Sequence, residues 1–237
     1  MKSKYIKGFR DGIPIGLGYL SVSFAFGITA VSLGVPPLIA LMISMTNVTS
    51  AGQLAGLTIM TGGGSVAELI LSQIIINLRY ALMSVSLSQK LSKNVTLADR
   101  FAIAFCNTDE VFAVASGQKG EVGRAYMYGL ITAPYFGWAA GTLLGSVASG
   151  ILPASVMSAL GIAIYGMFVA IIIPPAKASR TVAIVCITAA ALSCAFYYLP
   201  VLNRLSSGFA IILCAVAAAV LGAILSPVKE EEEAEHE

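Results

Sequence analysis

The segment CNTDEVF, residues 106–112, places the carboxylates Asp109 and Glu110 side by side within an apolar part of the chain. An ionisable side chain at the centre of a membrane helix costs at least about 2.5–3.5 kcal/mol on insertion scales, so such a residue usually has a function or a partner. Two adjacent carboxylates in a low dielectric do not easily both stay ionised. This pair can therefore carry a proton or attract the ammonium group of a ligand.

The apolar stretch 65–88 carries the complementary charge, because Arg79 near its middle offers a planar fork of donors suited to a carboxylate. At 100° per residue, this stretch forms a helix with two polar faces. One face contains Gln73, Asn77, Tyr80, Ser84 and Ser88, and the other contains Ser65, Glu68, Ser72, Arg79 and Ser86. The pattern predicts a helix in the interior of a bundle, with one face on a hydrated path. An Arg79–carboxylate pair there either serves binding or only fixes the register of two helices.

The composition predicts an all-α integral membrane protein. Hydrophobic residues make up 57% of the chain and charged residues 11%, with a mean hydropathy of +0.87, whereas a soluble domain is about 25% charged. Stretches near the roughly 20 residues that a spanning helix needs recur at 13–33, 36–61, 65–88, 122–149, 158–175, 180–200 and 207–226. We expect one transmembrane transporter domain, 1–228, followed by an acidic cytoplasmic tail, 229–237. The basic N-terminus lacks a cleavage site, which indicates a retained first helix.

The distribution of positive charge predicts the topology. Lys2, Lys4, Lys7 and Arg10 place the N-terminus in the cytoplasm. Eight plain transmembrane helices, the alternative, would put the cationic segment 90–100 on the outer side. Cations on the outer side contradict the positive-inside rule. The contradiction disappears if segment 36–61 enters the membrane from outside, segment 101–116 enters it from inside, and each returns to the side it came from. We therefore predict about six spanning helices plus two re-entrant or broken helical segments, with both termini cytoplasmic.

The segment TNVTSAGQ, residues 46–53, supports a break in the first of these segments. Its polar side chains can satisfy an interrupted backbone, and Ala51 and Gly52 permit a tight turn. Irregular backbone at membrane depth is tolerated only where it is buried in protein or lines a wet cavity. Transporters use such broken helices to bind substrate near the midplane.

Several other sites are excluded by composition. The only histidine, His236, lies in the tail, and the four cysteines lack the spacing of a metal site. The chain has three aspartates, Asp11, Asp99 and Asp109, so a pair of membrane-embedded catalytic aspartates is unavailable. We expect no enzymatic activity, cofactor, metal or nucleic-acid partner.

A strip of small residues recurs at every fourth position: Gly137, Gly141, Gly145 and Ser149. Such a strip lets another helix approach closely. The partner is either a neighbouring helix of this chain or a separate subunit.

Four motifs, in this order and spacing, resemble those of the AzlC-type branched-chain amino-acid permeases over about residues 8–180. They are FRDGIPIGLGYLSVSFAFGI at 9–28, AGQ at 51–53, NLRY at 77–80 and NTDEVFA at 107–113. The resemblance implies a bacterial inner-membrane protein that exports leucine, isoleucine, valine or their analogues together with a small AzlD-type membrane subunit; a homo-oligomer is also possible. Thr49 and Tyr80 depart from the family pattern, since other members have an aromatic or small residue at the first position and a histidine at the second.

Motif chemistry and resemblance together give the expected site. The substrate-binding candidates are Asn47, Ser50, Ala51, Gly52, Gln53, Asn77, Arg79, Tyr80 and Thr108, and the candidates for proton coupling or ammonium binding are Asp109 and Glu110. Phe24, Phe26, Phe105 or Phe112 are candidates for an apolar pocket. We expect a carrier coupled to the proton gradient; the alternative is a channel-like facilitator for small ions or solutes.

Overall fold

The computed structural model describes residues 2–226, and the predicted boundary at 228 and tail 229–237 lie outside this range. The helices are α1 (Lys2–Ser32), α2 (Pro37–Thr46), α3 (Ser50–Thr61), α4 (Val66–Lys90), α5 (Leu97–Phe105), α6 (Asp109–Ser116), α7 (Arg124–Ala148), α8 (Ala154–Ala178), α9 (Arg180–Tyr198) and α10 (Ser207–Leu225), with a 3-10 turn at Leu202–Arg204. The predicted all-α fold is confirmed.

Six of these helices are long and four are short. Within the described residues, α1, α4, α9 and α10 are long and apolar enough to cross a membrane. Helices α7 and α8 each have 25 residues, or about 37 Å at 1.5 Å per residue, which exceeds the roughly 30 Å of a hydrocarbon core. The short helices form two pairs, α2–α3 and α5–α6, each interrupted by three residues.

The α5–α6 pair is a hairpin that returns to the end of the bundle where it begins. At its base, an Arg100 guanidinium nitrogen donates to the Ser88 carbonyl at 3.1 Å. At its exit, Lys90 Nζ donates to the carbonyl of Ser116. Lys7 near the start of α1 donates to Gln118 at 2.8 Å. The hairpin therefore starts and ends beside the N-terminus of α1 and the C-terminus of α4, as predicted.

The α2–α3 pair is a second hairpin, which enters from the opposite end. It follows the C-terminus of α1 and leads into the N-terminus of α4 through three glycines. Gly63 has φ +74°, a left-handed conformation that favours glycine. Because α1 and α4 run in opposite directions, this hairpin also enters and leaves at one end. The predicted pair of opposed broken segments is confirmed.

Helices α1 and α7 pack in parallel with their backbones in direct contact. A Cβ atom at Gly137, Gly141 or Gly145 would overlap the carbonyl oxygen of Gly16, Leu20 or Phe24, respectively. Glycines of α1 fit against α7 in the same way, at Gly8, Gly12, Gly16 and Gly27. The small-residue strip therefore faces a helix of this chain, which is the first of the two alternatives.

The predicted interior position of α4 is wrong. Only Glu68, Ser72 and Leu87 of this helix are buried. A third face carries an apolar stripe, exposed on the surface of the chain: Val66, Ile70, Ile74, Leu78, Leu82 and Val85. Because this apolar stripe is exposed, α4 lies at the edge of the bundle. Only the part of its circumference that carries polar residues faces the other helices.

Labelling single cysteines, in a background without the four native ones, tests the two hairpins. Cysteines at Lys93 and Lys119 should react with a membrane-impermeant maleimide from the same side, because α5–α6 returns to its starting end. Cysteines at Leu33 and Thr61, which are exposed at the C-terminal ends of α1 and α3, should both react from the other side. Labelling of Lys93→Cys and Lys119→Cys from opposite sides would contradict the hairpin arrangement.

Candidate functional site

The first break lies at Asn47, Val48 and Thr49, between α2 and α3. The Thr49 hydroxyl caps α3 by accepting from the Gly52 N–H at 3.4 Å. Gln53 Nε2 donates to the carbonyl of Asn47 at 2.8 Å, and the Tyr135 hydroxyl donates to that of Met45 at 3.2 Å. These side chains replace the hydrogen bonds that the broken helix has lost.

The position of this turn corrects the sequence prediction. Ala51 and Gly52 lie in the first turn of α3, after the break, because the hydroxyl of Thr49 already provides a helix cap. Gly52 has a different role: a Cβ there would lie 2.8 Å from Gln73 Oε1. The missing side chain lets Gln73 reach the hairpin, where its Nε2 donates to the Gly52 carbonyl at 2.9 Å.

The second break lies at Cys106, Asn107 and Thr108, between α5 and α6. Thr108 caps α6, so Asp109 and Glu110 occupy its first turn, where the helix dipole favours negative charge. Asn107 Nδ2 donates to Ser84 Oγ on α4 at 3.1 Å. This contact holds the break against the polar face of α4.

Tyr19, in the middle of α1, brings the two breaks together. Its hydroxyl lies 2.6 Å from Thr108 Oγ1 and also contacts Glu110 Oε2. Its ring packs edge-on against Trp138 of α7, with centroids 5.0 Å apart, in a cluster that includes Val48 of the first break. The tips of both hairpins therefore meet halfway along α1.

Arg79 and Asp109 form the ion pair that the sequence allowed. The guanidinium lies 3.1 Å from the Asp109 carboxylate and donates to the Tyr80 hydroxyl at 3.0 Å. The two acids thus have different partners, since Glu110 contacts Tyr19. The Arg79 and Asp109 side chains are 51% and 46% exposed, so the pair is not locked into dry packing.

A cavity of about 170 Å³ lies between the two breaks. Its walls combine residues from both hairpins and from α4: Thr46, Asn47, Val48, Thr49, Asn77, Tyr80, Ala104, Phe105 and Asn107. It has room for several water molecules, and it is smaller than the roughly 300 Å³ at which typical drug-sized ligand pockets begin. A small metabolite fits this size.

The predicted site residues fall into three groups around this cavity. Asn47, Asn77 and Tyr80 line it. Arg79, Thr108, Asp109 and Glu110 lie beside it, in contact with Tyr80 or Tyr19 or next to Asn107 in the chain. Ser50, Ala51, Gly52 and Gln53 belong to the first turn of α3, where Gln53 supports the break.

Sequence reasoning missed three residues at the breaks and wrongly expected three phenylalanines to line the pocket. Tyr19, Asn107 and Trp138 were not singled out, although Asn107 belongs to the NTDEVFA motif and Trp138 is the only tryptophan. Trp138 Nε1 donates to Gln53 Oε1 at 3.2 Å. Of the four phenylalanines proposed for an apolar pocket, Phe105 lines the cavity and Phe24, Phe26 and Phe112 do not.

The base of the α5–α6 hairpin is anchored by Asp99, which is nearly fully buried. Its carboxylate accepts from the Thr96 hydroxyl at 2.7 Å and from the Tyr128 hydroxyl at 2.8 Å, and lies 3.0 Å from Arg124 Nε. These contacts, led by the Thr96 hydroxyl, lower the pKa of Asp99, although burial opposes the shift. The anchor ties the hairpin to α7 at the end of the bundle, outside the spanning helices.

The family model described as AzlC protein matches residues 14–152, more than half of the chain, and this range includes both hairpins. The chain belongs to the AzlC family. The expected family is therefore confirmed, and the cavity lies wholly within the matched part of this AzlC protein.

Individual relatives of this AzlC protein are also membrane proteins. The chain is 33% identical over 222 residues to an uncharacterized membrane protein of Archaeoglobus fulgidus, covering 93% of each chain. It is 28% identical over 193 residues to the inner membrane protein YgaZ of Escherichia coli, covering 78% of each. It is 24% identical over 151 residues to an uncharacterized membrane protein of Helicobacter pylori, covering 61% of this chain and 65% of the relative. No solved structure matches.

Replacing Tyr19 by Phe tests whether its hydroxyl holds the second hairpin tip in this AzlC protein. With Cys186, Cys194 and Cys214 replaced by Ala, Cys106 in the break is the only thiol. Loss of a hydrogen bond to a carboxylate should loosen the tip and speed the reaction of Cys106 with N-ethylmaleimide about tenfold.

The control for this experiment is Tyr126→Phe, which removes a tyrosine hydroxyl of α7 that contacts the carboxylate of Asp11 at 2.7 Å and neither break. It should leave the rate unchanged. Equal rates for Tyr19→Phe and the parent protein would show that the Tyr19 hydroxyl does not hold the hairpin tip.

Proposed function

We propose that this membrane protein is a transporter that exports branched-chain amino acids (leucine, isoleucine, valine or their analogues) across the inner membrane, driven by the proton gradient. One observation carries the proposal: two hairpins from opposite ends of the bundle meet around a small polar cavity. Transporters bind substrate near the midplane between broken helices of this kind. The proposal includes no enzymatic step and no cofactor.

The walls of the cavity suit a zwitterion with a branched apolar side chain. The N-terminus of α3 begins at the cavity wall with Thr49, and the positive end of a helix favours a carboxylate. Arg79 lies behind Tyr80 and adds positive charge on the same side. Val48, Ala104 and Phe105 supply apolar contact surface.

The substrate class and the direction of transport come from the family resemblance. The four quoted motifs resemble those of branched-chain amino-acid permeases, and the Escherichia coli relative is named an inner membrane protein. We propose the same substrate class and an inner-membrane location for this chain. The basic residues gathered around the base of α5–α6 support a cytoplasmic N-terminus and, by the even number of crossings, a cytoplasmic C-terminus.

Asp109 and Glu110 are the coupling residues in this proposal. Each lies at the tip of a hairpin and has one partner on another helix, Arg79 or Tyr19. A proton on Asp109 would remove the charge that holds Arg79, and a proton on Glu110 would weaken its contact with Tyr19. Protonation therefore loosens the tip from α4 and from α1.

Replacing Asp109 by Asn tests this role. The variant keeps the shape of the side chain and loses the charge, so efflux of labelled leucine or valine from preloaded cells should fall at least about tenfold if one charge-assisted contact is lost. Membrane expression is confirmed by quantifying the tagged protein. The control Asp11→Asn removes a carboxylate that contacts Tyr126 outside the site and should retain efflux. Normal efflux by Asp109→Asn would remove this residue from the mechanism.

A channel-like facilitator is the second candidate, because two opposed re-entrant segments are also a channel-like arrangement. Flux that saturates with substrate and collapses with the proton gradient supports the carrier. Flux that rises linearly and ignores the gradient supports a pore.

We also propose that a small AzlD-type membrane subunit covers the face formed by α4 and the α6 tip. Arg79 and Asp109 are about half exposed there, and Glu110 is exposed as well. Charged groups midway along spanning helices are costly to leave facing lipid. The exposed stripe of α4 beside them supplies an apolar surface for the transmembrane helices of such a subunit.

Co-expression with the small subunit tests this contact. Leu78, 58% exposed on α4, lies beside Arg79, so Leu78→Trp should reduce copurification of the subunit at least about fivefold through a steric clash at a close helix contact. Ile187→Trp, on the exposed face of α9, is the matched control and should leave copurification unchanged. A second copy of this chain bound at the same face, found by crosslinking at position 78, would replace the small subunit with a homo-oligomer.

A further inference from the structure

Three asparagines, one from each wall, surround the cavity: Asn47 from the first break, Asn77 from α4 and Asn107 from the second break. The amide nitrogen of each is already used. Asn47 Nδ2 and Asn77 Nδ2 donate to Gln73 Oε1 at 3.1 Å and 3.2 Å, and Asn107 Nδ2 donates to Ser84 Oγ. Among residues 2–226, the buried oxygens Asn77 Oδ1 and Asn107 Oδ1 have no hydrogen-bond partner.

The orientation of the Asn77 amide is fixed by the network behind it. Gln73 Nε2 donates to the Gly52 carbonyl, which can only accept, so Gln73 presents Oε1 to the asparagines. An oxygen cannot donate to this acceptor, and only the Nδ2 atom of Asn77 can make the contact. The Asn77 oxygen therefore stays free, and the same reasoning orients Asn47.

Buried acceptors without partners are rare in native structures and call for an explanation. Both oxygens belong to residues that line one cavity, Asn77 on α4 and Asn107 at the second break. A single partner for both oxygens needs at least two donors: a water molecule has two, and a primary ammonium has three N–H groups and no acceptor. The nearby carboxylates already have partners, Arg79 and Tyr19.

We propose that the carbonyl oxygens of Asn77 and Asn107 bind the primary ammonium group of the transported molecule. The inference rests on the proposed function and deepens it, because it names the side chains that hold the ammonium group of the amino acid. Neutral acceptors hold an ammonium without a fixed counter-charge, which permits release at the far side of the membrane. Asp109 and Glu110 remain available for protons.

Substrate analogues that share the carbon skeleton of leucine provide the test. Purified full-length protein in proteoliposomes is assayed for leucine transport in the presence of 4-methyl-2-oxopentanoate, which lacks the ammonium group. A site built around hydrogen-bond acceptors rejects an analogue without the matching donor strongly. The parent protein should therefore prefer leucine, and Asn107→Leu and Asn77→Leu should raise the leucine KM at least about tenfold, the factor expected for a lost charge-assisted hydrogen bond.

Control variants separate binding from folding. Asn107→Asp keeps an acceptor and should retain leucine transport better than Asn107→Leu. Asn203→Leu changes an asparagine outside the cavity, whose Nδ2 donates to the Tyr197 carbonyl at 3.0 Å, and should leave the KM for leucine unchanged. If Asn107→Leu does not purify as a folded protein, the KM for leucine is measured on Asn107→Ser, which is a smaller change at the same position.

A binding readout keeps this inference separate from the proposed function. Isobutylamine, an ammonium probe with a branched chain, should raise the thermal stability of the parent protein and not that of Asn107→Leu. Binding of the amine without leucine transport would overturn the proposed function and support the ammonium site. Leucine transport with an unchanged KM in both Asn77→Leu and Asn107→Leu would overturn the ammonium site alone. If the parent protein neither binds isobutylamine nor transports leucine, both the ammonium site and the proposed function are overturned.

Discussion

Hydrocarbon cannot satisfy the backbone N–H and C=O groups that a broken membrane helix exposes, so each break needs polar partners from the protein itself. At the first break, Gln53 and Tyr135 supply these partners, and Gln73 holds the first turn of α3 against α4. At the second, Thr108 caps the new helix, and Asn107 binds α4. These polar side chains are therefore needed to stabilise the breaks, whatever further role they have in binding. The cavity exists because two satisfied breaks lie next to each other.

This arrangement depends on α1 and α7, which themselves carry few polar groups toward the cavity. Their glycines allow a backbone contact close enough to hold Tyr19 and Trp138 side by side. Trp138 supports Gln53 of one hairpin, and Tyr19 contacts Thr108 and Glu110 of the other. Small residues in the scaffold thus determine where large and charged residues of the site can meet.

Charge distribution and segment length allowed much of this fold to be predicted. The cations of the segment 90–100 required the second hairpin, and the polar residues of 46–53 indicated the first. The exact turn at residues 47–49 could not be predicted, because the cap of Thr49 and the glycines after it are compatible with several turn positions. Likewise, helical periodicity defines the polar faces of α4 but does not tell which helices pack against them. The position of α4 at the edge of the bundle could therefore be seen only in the structure.

The site was predicted in part, for a similar reason. Charged groups in apolar sequence, such as Arg79 and Asp109, are conspicuous because burying them is costly. Tyr19 and Asn107 are chemically ordinary, and their importance comes from contacts with residues 89 and 23 positions away. Pairing of this kind depends on topology, which local sequence does not encode.

The backbone contact between α1 and α7 has a mechanical consequence. Where main chains touch through glycines, no rotamer can change to absorb movement, so these two helices form a stiff post through the centre of the protein. The hairpin tips are held against that post by exchangeable hydrogen bonds. In the proposed transporter, alternate opening toward the two sides of the membrane would then be a rocking of the hairpin tips about α1 and α7, which would themselves stay still.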